Sequence, residues 1–470
     1  MPPRLSDHIN KAESLFQEPN TTFMKKIIFA ACLFFTSTFF AGAQSTGNSS
    51  SLTLQQAIDY AIQHQSAYLT AVLDEQISAA HVKEIVGIGL PQVSGSFDVK
   101  DFVEIPTSFI PAEFFGGKSG EFIPVKFGTR YQAAAGISAS QLVFDPTYLI
   151  GIKATKGLRE LASKNTQRTK IETTVSVSKA YYNVLVSRER MQLLDANVIR
   201  VKKLNDDTKA LYDNGFIEKI DLDRITLAYN NIVTERENVA RLLVLGEYLL
   251  KYQIGMDIYS SLTLADSLND EQVRTITVSA EKPDVTKRIE YSLMQTNKDL
   301  MGLNLKRYKA GYIPSLFAYG TVSANASRSK FDIFDTSERW YPIGIIGGTL
   351  QWNLFDGLQR ERKIKQANLE VKKAELGLQN TANALAMEAE SGRTNLQNAL
   401  ATLNSQKKNL ELATDVVRVS KIKYDQGVGS NLEVINAETS LKEAMTNYYS
   451  AMYDALVAKV DLDKAMGTVK

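Results

Sequence analysis

The chain has one cysteine, three histidines and two tryptophans in 470 residues. The cysteine, Cys32, lies inside an N-terminal apolar run, so a chain processed beyond it holds neither a disulfide nor a thiol nucleophile. The histidines, His8, His64 and His81, do not cluster. His81-x-x-Glu84 has a metal-compatible helical spacing, but a lone pair of this kind reads as a solvated helix face. There is no phosphate-binding loop, dinucleotide fingerprint or nucleophile elbow. No catalytic, cofactor-binding or metal-binding residue is therefore assigned, and no enzyme activity is expected. An excess of charge of one sign is also missing: 54 basic residues face 52 acidic ones, a net charge of +2, which gives no case for nucleic acid. Apolar runs are scarce too. Only residues 27–40 form a long one, which excludes a helical protein of several spans.

That run has a recognisable context. Met24-Lys25-Lys26 precedes it and Ala41-Gly42-Ala43 follows it, so residues 24–43 are expected to be a secretory signal peptide cut after Ala43. Residues 1–23 are then an over-extended start or a disordered leader, with Met1 and Met24 both open as the true start. An uncleaved anchor is disfavoured because the run is short for a span. Lipidation of Cys32 is disfavoured because Phe29-Ala30-Ala31 is a poor lipobox.

Beyond the signal the sequence repeats itself. Tyr212-Asp213-Asn214-Gly215 recurs as Tyr424-Asp425-Gln426-Gly427. At the same offset Ile220, Asp221 and Leu222 fall on Leu432, Glu433 and Val434, and Gly255 falls on Gly467. Upstream, Phe144-Asp145 matches Phe355-Asp356, Leu90-Pro91 matches Ile313-Pro314, and Ile58-Asp59-Tyr60 matches Ile289-Glu290-Tyr291. The order of these matches points to a duplication. We expect a first repeat over 51–256, a linker over 257–283 and a second repeat over 284–470.

Each repeat predicts a helix, a strand hairpin, a very long helix, a glycine turn and a returning helix. The first helices are expected over Leu54 to Gly89, opened by a Thr53/Gln56 capping box, and over Thr286 to Gly311. The long helices are expected over Pro146 to Tyr212, capped by Asp145, and over Gly357 to Tyr424, capped by Asp356. Leu396, Leu403, Leu410, Val417 and Tyr424 keep a seven-residue step, matched by Val184, Met191, Val198, Asn205 and Tyr212, which predicts coiled-coil packing along their length. Short turns make the returning helices, Lys219 to Gln253 and Asn431 to Met466, antiparallel to them.

The predicted strands alternate. Val93, Gly95, Phe97 and Val99 interleave with Ser94, Ser96, Asp98 and Lys100, and Ala133, Ala135, Ile137 and Ala139 with Gln132, Ala134, Gly136 and Ser138. The second repeat sets Leu316, Ala318, Val322 and Ala324 against Ser315, Thr321, Ser323 and Asn325, and places Ile346, Leu350, Trp352 and Leu354 on one face. In an exported chain, strands of about ten residues with aromatics near their ends fit a transmembrane barrel better than a soluble sheet. Four strands cannot close a barrel in lipid, because open edges leave backbone groups unsatisfied. The subunit must then share its barrel, and three copies would supply twelve strands around a water-filled lumen. Between the first pair of strands, Pro106 to Lys126 is expected to be a long, aromatic-rich loop.

Leu52 to Ile58 opening the domain, Leu90-Pro91, the Phe-Asp pairs at Asp145 and Asp356, and the Tyr-Asp-x-Gly turns at Gly215 and Gly427, in this order and duplicated, resemble the TolC-type outer-membrane efflux channel family. The resemblance covers Ser51 to Gly467. It implies an α+β membrane protein: a homotrimer with a twelve-stranded outer-membrane β-barrel continued by a periplasmic α-helical barrel, and a mixed collar to which Met256 to Pro283, with Leu262-Thr263-Leu264 as a strand, contributes. It implies an exit duct for small toxic compounds. Cargo would arrive from a periplasmic membrane-fusion adaptor and an inner-membrane transporter of RND or ABC type, with outer-membrane lipid around the barrel. A type I protein-secretion duct fits the same sequence. A periplasmic coiled-coil adaptor or scaffold fits the helices but not the strands.

By position, the resemblance places the periplasmic aperture at Glu433, with Asp221 its repeat counterpart. A second acidic position of the family is Asn436 here and Arg224 in the first repeat, so the acidic ring is weaker. Ser430-x-x-Glu433 also reads as a capping box, and Asp221 as a favourable charge at a helix start. The tips Gly215, Phe216, Gly427, Val428, Gly429 and Ser430 resemble the adaptor-docking surface, although glycine is also what a turn between helices requires.

Overall fold

The computed structural model describes residues 50–268, 273, 282–335 and 337–469. The expected leader, signal peptide and Cys32, and residues 269–272 and 274–281 of the expected linker, lie outside the described residues.

Two helices dominate the molecule. α3 (Pro146–Asp213) and α6 (Gln359–Asp425) run 68 and 67 residues without interruption, roughly 100 Å each at 1.5 Å per residue. The returning helices α4 (Lys219–Ile254) and α7 (Asn431–Met466) are 36 residues long, so each covers only about half of its partner. The other halves pack on shorter helices, α2 (Ser66–Gly87) against α3 and α5 (Ile289–Ala310) between α3 and α6. Most heptad positions do what the seven-residue step predicts, while at the far end Tyr212 is exposed and Asn205 and Tyr424 are half-buried. Val184 and Leu396 are fully buried, Leu403 and Val417 nearly so, and Met191, Val198 and Leu410 pack at the margins of the same seams.

Above the helices lies an antiparallel sheet of four strands among the described residues, in the order β2 (Gln92–Asp101), β5 (Tyr131–Phe144), β7 (Ser315–Arg328), β8 (Tyr341–Gln351). Its register pairs Gly95 with Ile137 and Ile137 with Val322, so Val93, Phe97, Ile137, Val322 and Ile346 share one face. Those five side chains are exposed, Ile346 at 95%. β2 and β8 are open edges.

Four expectations are corrected. The helix expected over Leu54 to Gly89 is two, α1 (Leu54–His64) and α2, broken where Gln65 turns extended and its side chain accepts from Tyr68 N. A left-handed turn at Gly255 packs against this break, so close that a Cβ would lie 2.5 Å from the His64 carbonyl oxygen and 2.8 Å from Gln65 N. The helix expected from Thr286 begins at Ile289, after a single 3₁₀ turn over Val285–Lys287. The helix expected from Gly357 begins at Gln359, because Gly357 and Leu358 are both left-handed, each at φ 65°. Asp356 still serves that helix end, accepting from Arg360 N at 3.2 Å. The loop expected over Pro106 to Lys126 contains a hairpin of its own, β3 (Thr107–Pro111) with β4 (Phe122–Lys126).

At mid-height, β1 (Ser50–Leu52) pairs in parallel with β6 (Leu262–Leu264), the strand expected in the linker. Just beyond β6, Asp266 Oδ2 accepts from Leu54 N at 2.9 Å and from the Tyr181 hydroxyl at 2.7 Å, tying this belt to α3. Burial, with Asp266 adding to it, pushes the Tyr181 hydroxyl pKa upward. The capping box expected at Thr53 and Gln56 is complete.

Candidate functional site

The expected site lies at the end of the long helices remote from the sheet. Both turns there are built alike. α3 ends with Asn214 Nδ2 donating to Ala210 O, and Gly215 N to Tyr212 O at 2.9 Å. α6 ends with Gly427 N donating to Tyr424 O at 2.9 Å and both Val428 N and Gly429 N to Lys423 O at 3.0 Å. Gly215 and Gly427 are left-handed, at φ 80° and 75°, a region glycine enters without a Cβ penalty. Gly429 is needed for a different reason: a Cβ there would sit 2.9 Å from Lys423 Cβ and 3.0 Å from Tyr424 N. The apices carry Phe216 and Val428, 77% and 74% exposed, at equivalent positions of the two repeats.

Behind the apices the two tips are joined. Ile225 of α4, Val434 of α7 and Leu204 of α3 form a buried seam, and Asn431 Nδ2 donates to Asp221 O at 2.8 Å. Asp221 and Glu433 thus stand at the starts of two helices held side by side. Neither carboxylate is without a cation. Asp221 lies 3.6 Å from Arg224, and Glu433 lies 3.6 Å from Lys423 across the α6–α7 turn. Ser430 Oγ accepts from Glu433 N at 3.2 Å, so the serine half of the expected capping box forms while the glutamate side chain sits beside Lys423. Asn436 is exposed one turn on.

Two features escaped the sequence reading. Lys423 could not be singled out, because a basic residue in a last helical turn is ordinary. The second left a trace: Glu438 interrupts the apolar stripe Val434, Ala437, Leu441, Met445. It is buried and forms a bidentate pair with Arg200 of α3, at 2.8 and 2.9 Å, while Arg200 also donates to Asn197 at 2.6 Å. It is a charged clamp between the long helix of one repeat and the returning helix of the other. Higher up, Arg288, 4% exposed, joins Glu290, Glu388 and the Ala465 carbonyl. No group of three or more potential metal-ligating side chains occurs among the described residues.

Residues 304–468 match the family described as Outer membrane efflux protein. The chain is 21% identical over 338 residues to the outer membrane protein TolC of Vibrio cholerae serotype O1, covering 72% of this chain and 77% of that one. Among solved structures, CusC, described in terms of folding and transmembrane channel formation, superposes with a TM-score of 0.72 at 14% identity, over 92% of this chain and 95% of that one. The CmeC outer membrane channel of Campylobacter jejuni gives a TM-score of 0.69 at 14% identity, over 91% and 90%.

Proposed function

We propose that this chain, whose residues 304–468 match the outer membrane efflux protein family, is the outer-membrane exit duct of a tripartite efflux pump. The observation that carries this reading is a four-stranded sheet with two unpaired edges, joined end-on to helices of 68 and 67 residues. In lipid an open sheet edge leaves its N–H and C=O groups unsatisfied, so β2 of one subunit must pair with β8 of the next. Three subunits give twelve strands and continue below them as a helical tunnel through the periplasm. The Val93, Phe97, Ile137, Val322 and Ile346 face turns to lipid, and the more polar face, with Ser94, Ser138 and Thr321, lines the lumen.

The tips form the periplasmic end. Phe216 and Val428 supply paired apolar knobs on rigid glycine turns, suited to docking a periplasmic adaptor that in turn engages an inner-membrane transporter. Glu433 and Asp221, with Asn436 and Arg224, line the aperture. Lys423 and Arg224 offset the two carboxylates, so the ring is close to charge-balanced rather than strongly anionic.

The test is a strain from which the gene for this chain is deleted. Dye and drug accumulation should rise, and re-expression of the wild type should reverse it, while Phe216→Asp with Val428→Asp leaves the trimer in the membrane without restoring efflux. Unchanged accumulation with a lost secreted protein would favour the secretion duct instead.

A further inference from the structure

Where sheet and helices meet, the wall holds a cleft of about 570 Å³ that the transport reading does not use. Ile150, Ala154 and Leu158 of α3 form one side and Leu300 and Leu303 of α5 the other. The roof is Leu142 and Phe317, register partners on the sheet face opposite Ile137 and Val322. The size lies within the ~300–1,000 Å³ of small-molecule sites. It continues, through Thr147 and Arg307, into a second cleft of about 400 Å³ lined by Arg307, Arg360 and Lys363.

The charges there are not balanced. Asp145 is occupied by Thr147 N, Thr147 Oγ1 and Tyr148 N, and Asp356 by Arg360. Arg307 has only the face of Tyr308, and neither it nor Lys363 has a carboxylate within ion-pairing distance among the described residues. An apolar trough thus ends at two free cations. Arg307 and the trough lie on α3 and α5, the inner pair of the helix order α2-α3-α5-α6 and away from both open edges of the sheet, while Lys363 stands on the outer helix α6.

The geometry points to a binding site for an amphiphilic anion, an elongated apolar body in the α3–α5 trough with its carboxylate, sulfate or phosphate head held by Arg307 and Lys363. Resting on the proposed duct, in which the Leu142 and Phe317 face is lumenal, the site is a station on the inner wall. It makes amphiphilic anions a cargo class of this channel. Cations of the same shape gain the apolar contacts but meet uncompensated positive charge.

The test uses full-length protein in phosphatidylcholine nanodiscs with 11-(dansylamino)undecanoate as probe. Trp340→Phe leaves Trp352 as the sole tryptophan; its indole donates to Tyr312 O, and the Tyr312 ring lies under Arg360. We expect saturable dansyl emission excited through Trp352, weakened at least tenfold by Arg307→Gln with Lys363→Gln. Gly151→Phe should abolish it, since a Cβ at Gly151 on the cleft wall meets nothing within 4 Å and a ring there fills the trough without disturbing the fold. Dodecylamine should not compete. Emission that is unsaturable, insensitive to both sets of substitutions, or displaced equally by dodecylamine overturns the inference. Particle mass measured on the same sample separates the two readings. A three-subunit particle without saturable binding fails this inference alone, and a water-soluble monomer fails the duct.

Discussion

Arg200 and Glu438 show how much a single buried charge pair can hold. Glu438 is almost fully buried, while Arg200 keeps about a third of its side chain in solvent. Arg200→Ala therefore strands an ionised carboxylate between two helices and should cost ~3 kcal/mol, whereas Glu438→Gln keeps a hydrogen-bonding partner and should cost less. Thermal unfolding of the two variants in detergent checks the order; equal losses would mean the pair contributes only packing. Glu290 carries a pH dependence. Burial alone would raise its pKa, but hydrogen bonds and the charge of Arg288 outweigh that and hold it below its ordinary 4.5. The folded state therefore favours the carboxylate. This stability is present above pH 4.5 and lost as pH falls through the lowered folded value. Melting temperature followed from pH 7 to pH 3.5 should drop below pH 4.5, and Glu290→Gln should remove part of that drop. At the proposed aperture, exposed ion pairs are worth little energy but still set local potential. Lys423→Ala should shift reversal potentials toward cation selectivity, and Glu433→Gln should shift them the other way.

At the level of elements, the tip turns separate two uses of glycine. Gly427→Ala meets no neighbour and bears only the left-handed backbone penalty of ~1–2 kcal/mol, while Gly429→Ala carries no such penalty but must displace Lys423 and the Tyr424 backbone nitrogen. Hydrogen exchange at the Val428 amide should therefore quicken more for Gly429→Ala than for Gly427→Ala. The long helices and the four main strands were legible because their signals are local and periodic: heptads over α3 and α6, alternation over β2, β5 and β7. What was not legible was decided elsewhere in the chain. Gln65 is an ordinary helix former, and the break there packs against the Gly255 turn about 190 positions away. The β3–β4 hairpin was hidden by Pro111 and Pro124, which argue against a central strand; in a two-stranded ribbon both strands are edges and proline is tolerated. Of the candidate site, the turns and their exposed apices were visible as motifs. Lys423 beside Glu433 and Arg200 against Glu438 are pairs between different helices, and no single-chain spacing announces them.

For the whole molecule, the decisive quantity is the number of subunits that share the sheet. Among the described residues no helix is long and apolar enough to cross a membrane, and the proposed span is made by strands. One chain supplies four of them, with both outer edges unpaired. The apolar face carrying Val93, Ile137, Val322 and Ile346 is exposed, while near one end of the sheet Ile333 packs on Ala133 and Ala326 and Phe334 lies against Phe97; the upper helices end directly beneath those strands. Closure by copies of the same chain satisfies edges, face and tunnel together, and makes the duct a property of the assembly rather than of the subunit. The most direct test is the mass of the mature protein extracted from the outer membrane in detergent, by light scattering coupled to size exclusion. The account predicts three protomers per particle and precipitation when detergent is removed; a monomer or dimer that stays soluble without detergent would contradict it.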